Sequence, residues 1–208
     1  MLPTFDDISV EFDSIDGQVF SYRGASYAIP LLGEHQLHNA ATVLEAVSVL
    51  RKQGWDIDDE AVESGLYSVA WPARFEVLHT DDPWFVLDGG HNPQCAAALR
   101  ECLEHYFPDS KRVALVGVLK DKDYKSIAAT LAPLFDACVC VTPPSERALP
   151  AEELAELFKD SCREVCVADT VEDGVDLARD IAQEQDAMVC AFGSLYICGQ
   201  IRSCFGLR

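Results

Sequence analysis

Asp88 and His91 lie in the stretch Asp88-Gly89-Gly90-His91-Asn92-Pro93, directly after the apolar run Trp84-Phe85-Val86-Leu87. The run reads as a buried strand, Asn92 as a helix N-cap and Pro93 as the first helical residue, which puts an acid and an imidazole on the turn between strand and helix. In an open α/β sheet such turns are where ligands bind. Two further turns have the same character. Gly117, Asp121, Lys122 and Asp123 follow a second predicted strand. Gly193-Ser194 follows a third and opens a helix, where a hydroxyl and free backbone amides suit a carboxylate or a phosphate. Taken singly, Asp88 and Asp123 also read as capping residues, His91 as a loop histidine and Ser194 as a plain N-cap. Neither G-x-x-x-x-G-K-[ST] nor G-x-G-x-x-G occurs in the chain, so the triphosphate of any nucleotide served by these turns must be gripped from elsewhere.

The elements that must position these residues follow from periodicity. Residues 1 to about 30 hold short alternating runs separated by Asp-Gly and Arg-Gly, which predicts a small antiparallel meander. From His35 to Lys52 the apolar positions Leu37, Ala40, Ala41, Leu44, Val47 and Leu50 recur at helical spacing, and Gly54 ends the run. A second helix is predicted from Asp58 to Val69, and Trp71-Pro72 marks a domain boundary. After it strand and helix alternate. Strands are predicted near 75–79, 84–88, 112–117, 137–142, 164–168 and 187–192, and helices near 93–106, 123–133, 151–159, 171–184 and 194–204. Repeated βα units of this length imply an α/β, Rossmann-like, mostly parallel sheet with helices on both faces.

With 208 residues, 49% of them hydrophobic, the chain can bury a substantial core as one domain plus a smaller piece or as two small domains. Sixteen basic against thirty-five acidic residues, a net charge of -19, argue against nucleic acid and anionic membranes as partners, since both require a basic footprint. No apolar stretch approaches the ~20 residues of a transmembrane helix, and the N-terminus is acidic where a signal peptide is basic, so a cytoplasmic location is expected. Nine cysteines, odd in number and scattered through predicted core elements, read as free thiols in a reducing compartment. Cys138-x-Cys140 lacks the second pair or nearby histidine of a zinc site, and the His35/His38 pair lacks a third ligand.

Five blocks in order, Leu32-Gly33-Glu34-His35-Gln36-Leu37-His38-Asn39-Ala40, Trp71-Pro72-Ala73-Arg74-Phe75-Glu76, Asp88 to Pro93, Asp121-Lys122-Asp123 and Gly193-Ser194-Leu195-Tyr196, closely resemble the C-terminal half of folylpolyglutamate synthase/dihydrofolate synthase in the Mur ligase superfamily. Ala73 stands where that family usually has glycine, and Gly90 where it usually has alanine. The resemblance implies that residues 1–71 are the C-terminal remnant of a central ATP-binding domain and residues 72–208 a Mur ligase-like glutamate-binding domain. It further implies an N-terminal ATPase portion, absent here, that carries the phosphate loop and the Mg2+ ligands, so that no metal is held in this chain and the isolated chain is inactive. The activity implied is an ATP-dependent ligase that phosphorylates a carboxylate of dihydropteroate or folate and joins it to L-glutamate. Carried over by position, Asn39 would lie against the adenine, Arg74 would reach the ATP phosphates across the domain gap, and Asp88 would contact the ribose or orient the site. His91 and Ser194 would hold the glutamate, and a monomer is expected. Lys122 and Arg147 are candidate anion contacts without an assigned role.

Guanidinium, hydroxyl and imidazole suit these tasks: the first matches phosphate oxygens, the others fix a carboxylate while leaving an amine free. Three rival readings stand beside this one. One is a non-catalytic Rossmann-like binding module, and another a peptidoglycan-precursor ligase of the same superfamily. The third is a hydrolase using Ser194, His91 and Asp88, which lacks the G-x-S-x-G elbow and crowds its acid and imidazole into one turn.

Overall fold

Alternating polar and apolar residues near the N-terminus form three antiparallel strands, β1 (Ile8–Ser14), β2 (Gly17–Tyr22) and β3 (Ala25–Ile29), in that spatial order. The computed structural model describes residues 5–79, 81 and 83–207. The chain divides into two compact units, Met1–Pro72 and Ala73–Arg208. In the first, the β2–β3 turn places Arg23 and Gly24 at positive φ (50° and 85°), the twist that a two-residue hairpin loop demands. Two helices, α1 (Glu34–Lys52) and α2 (Asp59–Tyr67), complete the unit. Phe20, Tyr22 and Ile29 of the meander pack with Leu37, Ala40 and Ala41 of α1 and Leu66 of α2. The buried Gln18 side chain donates to the carbonyls of Leu31 (2.7 Å) and Gly33 (3.2 Å), tying β2 to the start of α1. A buried Glu45 carboxylate accepts from the Tyr22 hydroxyl and pairs with Arg23, both at 3.0 Å, so the one acid on the buried face is compensated.

The second unit carries a six-stranded sheet: β4 (Glu76–His79), β5 (Phe85–Asp88), β6 (Lys111–Val116), β7 (Ala137–Val141), β8 (Glu164–Ala168) and β9 (Ala187–Phe192), in spatial order β4-β5-β9-β6-β7-β8. Only β4 runs antiparallel to its neighbour. Helices α3 (Pro93–Tyr106), α4 (Tyr124–Leu131), α5 (Ala151–Ala155), α6 (Val171–Gln185) and α7 (Leu195–Cys204) connect and follow the strands. The two faces of the sheet separate with the strand period of two. Phe85, Leu87, Val113, Leu115, Val139, Val189 and Ala191 pack against α6 and α7 through Val175, Ala178, Ile181, Ile197 and Ile201. On the opposite face Phe192 stacks on Phe135 just after α4 (5.5 Å), and the Arg112 guanidinium donates to the Leu103 and Phe107 carbonyls that end α3. The α/β architecture with helices on both faces is therefore as the βα rhythm predicts.

Three helix ends fall short of expectation, the first being that of α2, which stops at Tyr67 rather than Val69. The helix expected to reach 133 stops at Leu131 and tightens into a 3-10 turn over Ala132–Leu134, because Pro133 has no N–H for an α-helical bond. The helix expected over 151–159 ends at Ala155, and the next residues close with shorter bonds, Leu157 N–H to Leu154 and Phe158 N–H to Ala155, that bring Phe158 into the core.

Candidate active site at the carboxyl edge of the sheet

β9 is the last strand made yet sits between β5 and β6. The helices after β5 and β6 cover one face of the sheet, and α7, after β9, covers the other. The carboxyl ends of these three strands are therefore a topological switch point, where open α/β sheets bind ligands. Asp88, Phe192 and Val116 are in register across the three strands. The next residue in each is glycine: Gly89, Gly193 and Gly117. Close approach requires this. A Cβ on Gly193, whose φ is 109°, would lie 2.7 Å from the Gly117 carbonyl oxygen, and one on Gly89 would collide with the Leu195 side chain.

Asp88 organises the edge. One carboxylate oxygen accepts the Phe75 N–H (3.0 Å) and the other the Gly90 N–H (2.7 Å), while Gly89 donates its N–H to the Ala73 carbonyl (2.8 Å). These bonds hold the segment Ala73-Arg74-Phe75 against the turn after β5. The segment is sharply bent, with Ala73 and Phe75 both at positive φ (56° and 43°). That conformation favours glycine, so both side chains are held there at a cost that the surrounding bonds must offset. Glu76 completes the brace, accepting the Ala73 N–H at 2.8 Å and pairing with Arg202 of α7. Arg74 itself is exposed and forms no hydrogen bond or ion pair among the described residues. At Gly90 an added Cβ would lie 2.7 Å from both the Asp88 carboxylate and Cys95 Cβ, so alanine there would need this turn to shift.

His91 is half-buried, its Nδ1 3.2 Å from the Gly89 carbonyl. Asn92 caps α3 by accepting the Cys95 N–H at 2.9 Å, with Pro93 at the first turn. Ser194, 2% exposed, is the N-cap of α7, its Oγ accepting the Tyr196 N–H at 3.2 Å. Asp123 caps α4 through the Ser126 N–H. Thus Arg74, Asp88, His91 and Ser194 share one edge of the second unit.

Asn39 belongs to the first unit. It lies on α1 and donates to Gln36 Oε1 (3.0 Å), and both amides line a largely apolar cavity of about 370 Å³ with Ile29, Leu31, Val43 and Val47. On the same helix His38 stacks on Phe5, with ring centroids 4.0 Å apart, and faces Glu34 at 3.8 Å. Among the described residues no three His, Cys, Asp or Glu side chains gather to hold a metal ion. No helix among them is long and apolar enough to cross a membrane.

Sequence reasoning gave Arg147 no place, and the structure supplies one. The loops after β6 and β7 are joined by an isolated antiparallel bridge, Leu119 to Ala148, and by Lys120 N–H to Arg147 O (2.9 Å) and Leu149 N–H to Val118 O (3.0 Å). The Arg147 side chain then meets the Asp121 carboxylate (2.9 Å) and the Tyr196 hydroxyl (3.4 Å). The glycine after each of three strands was the sequence signal for this edge, but nothing local ties residue 147 to residue 196.

The family model of the Mur ligase glutamate ligase domain matches residues 73–195. A dihydrofolate synthase/folylpolyglutamate synthase of Mycobacterium tuberculosis is 34% identical over 93% of the chain, and a folylpolyglutamate synthase of Lacticaseibacillus casei is 32% identical over 89%. The chain spans less than half of those relatives, 44% and 43% of their lengths. A crystal structure of the Mycobacterium tuberculosis folylpolyglutamate synthase complexed with ADP and AMPPCP superposes with a TM-score of 0.85 at 32% identity, over 97% of this chain and 48% of that one. With the glutamate ligase domain covering more than half of it and folylpolyglutamate synthases as its relatives, the chain belongs to the Mur ligase family.

Proposed function

We propose that this chain is the glutamate-accepting part of an ATP-dependent ligase that joins L-glutamate to dihydropteroate or a folate through an acyl phosphate. The observation that carries the reading is the pinning of the Arg74 segment, by Asp88 and Gly89, to the sheet edge that also bears His91 and Ser194. An exposed guanidinium on a rigid mount suits phosphate oxygens and the charge that develops on them during transfer. His91 and Ser194 take the amino acid. Asp88 acts by orienting the Arg74 segment, since its two oxygens already accept backbone amides. Asn39, in an apolar cavity with a second amide, suits the edge of an adenine.

In this reading residues 1–71 complete an ATP-binding domain whose phosphate loop and Mg2+ ligands come from a further portion of the ligase, and residues 72–208 form the glutamate-binding domain. Bound Mg2+ there would neutralise phosphate charge. The assembled enzyme works in the cytoplasm as a monomer. A hydrolytic Ser194–His91–Asp88 relay fits less well, because the one hydrogen bond of the His91 ring among the described residues is with the Gly89 carbonyl.

The test is reconstitution. The pure chain is expected to show neither ATP hydrolysis nor glutamate ligation, and the chain completed with an ATPase portion to show both. Magnesium-dependent ADP release by the chain alone, abolished in Arg74→Ala, would overturn the proposed division of labour.

A further inference from the structure

We propose that Arg147 receives the side-chain carboxylate of the incoming amino acid, and that Asp121 occupies the guanidinium until that carboxylate displaces it. The inference rests on the reading that glutamate docks at Ser194 and His91. Its own basis is the order of residues along the sheet edge. Arg74 and Asp88 stand at β5, Ser194 at β9, Asp121 after β6 and Arg147 after β7, and the strands lie side by side in that order. If the nucleotide phosphates meet Arg74, the reacting amine must point toward β5. The amino-acid group furthest from the reaction then points toward β7, where Arg147 lies.

The mount of Arg147 is fixed while its head is accessible. Its carbonyl accepts the Lys120 N–H, its N–H donates to Ser145 Oγ (3.2 Å), and the neighbouring Leu119–Ala148 bridge joins the two loops. Its guanidinium reaches back to the hydroxyl of Tyr196, whose own N–H is capped by Ser194. The same side chain is 51% exposed, and that of Asp121, its partner, 43%. An ion pair so open to water is worth at most ~1 kcal/mol, so a ligand carboxylate can replace Asp121 at little cost. Asp121 presents the same functional group as a glutamate side chain, at 2.9 Å, which shows that this geometry accommodates a carboxylate. Glutamine, of equal length and uncharged, is the compound such a site rejects.

The experiment follows backbone amide signals of the isotopically labelled 208-residue chain by NMR during titration with L-glutamate and, separately, L-glutamine, in the wild type and in Arg147→Gln and Asp121→Asn. Glutamate is expected to shift residues 121, 147 and 196 along with 91 and 194, and to bind at least ~10-fold more tightly than glutamine. Arg147→Gln should erase that preference while keeping the folded spectrum, and Asp121→Asn should tighten glutamate several-fold. If glutamate shifts 91 and 194 but its preference over glutamine survives Arg147→Gln, the docking reading stands and the role of Arg147 is overturned. If glutamate shifts neither group, the docking reading falls and this inference with it.

Discussion

The Asp88 carboxylate accepts the backbone N–H of Phe75 at 3.0 Å, joining the end of β5 to a segment thirteen residues earlier. The segment bears the exposed Arg74 between two residues at positive φ, so the position of this cation depends on an acid it does not touch. Asp88→Ala should leave the Phe75 and Gly90 amides without their acceptor and cost ~3 kcal/mol of stability, given two bonds to a charged group. Denaturant unfolding of the purified chain measures it; a loss within error of zero would show that the bracket is dispensable.

Gly193→Ala should be among the most damaging single-methyl additions in the chain. The new Cβ meets a backbone carbonyl, which cannot swing aside as a side chain can, in a conformation that alanine disfavours. Strain and overpacking together are expected to cost ~3 kcal/mol or more, read as a lowered unfolding midpoint. Gly199→Ala, with open space around it, is the matched control.

Arg74→Ala should separate function from folding. Its side chain is exposed and makes no hydrogen bond or ion pair among the described residues, so the unfolding midpoint should stay within ~0.5 kcal/mol of the parent. In the completed ligase, turnover should fall by ~2 to 4 kcal/mol of lost transition-state stabilisation, with little change in glutamate KM. A raised glutamate KM at normal turnover would reassign the residue to the amino acid.

His91→Ala and Ser194→Ala in the completed ligase should chiefly raise the KM for glutamate, by about ten- to a hundredfold, the loss of one bond to a charged carboxylate. The double variant should be less than additive if both grip one ligand. Steady-state kinetics with ATP and glutamate varied in turn decide between this and a nucleotide role.

Alkaline pH should weaken the second unit. Burial pushes the Cys162 thiol up to about 11 and the Cys198 thiol to about 12, from an ordinary 9.0. Below about pH 9 both folded and unfolded chains keep these protons, and the stability is fully present. Above it the unfolded chain releases protons that the folded one retains, so stability falls with rising pH until about 11 to 12, by ~1.4 kcal/mol per pH unit for each thiol. Denaturation midpoints measured from pH 8 to 10.5 should decline, and the Cys162→Ala/Cys198→Ala pair should make the decline less steep, the thiols of Cys138 and Cys190, also pushed up by burial, keeping part of it.

Periodicity and turn chemistry were enough to determine the alternation of strands and helices, the caps at Asn92, Asp123 and Ser194, and the placing of Asp88, His91 and Ser194 on strand-end turns. Those features depend on residues within a turn or two of one another, so local sequence records them. Tertiary structure alone decided that the last strand, β9, inserts between β5 and β6, which brings residues 88 and 192 side by side. It also decided that Asp88 serves the Phe75 and Gly90 amides and that Arg147 reaches Tyr196 across forty-nine residues. Pairing of distant strands and loops is set by which apolar faces bury together and which backbone groups remain to be satisfied once they do. Neither quantity exists until the sheet has formed.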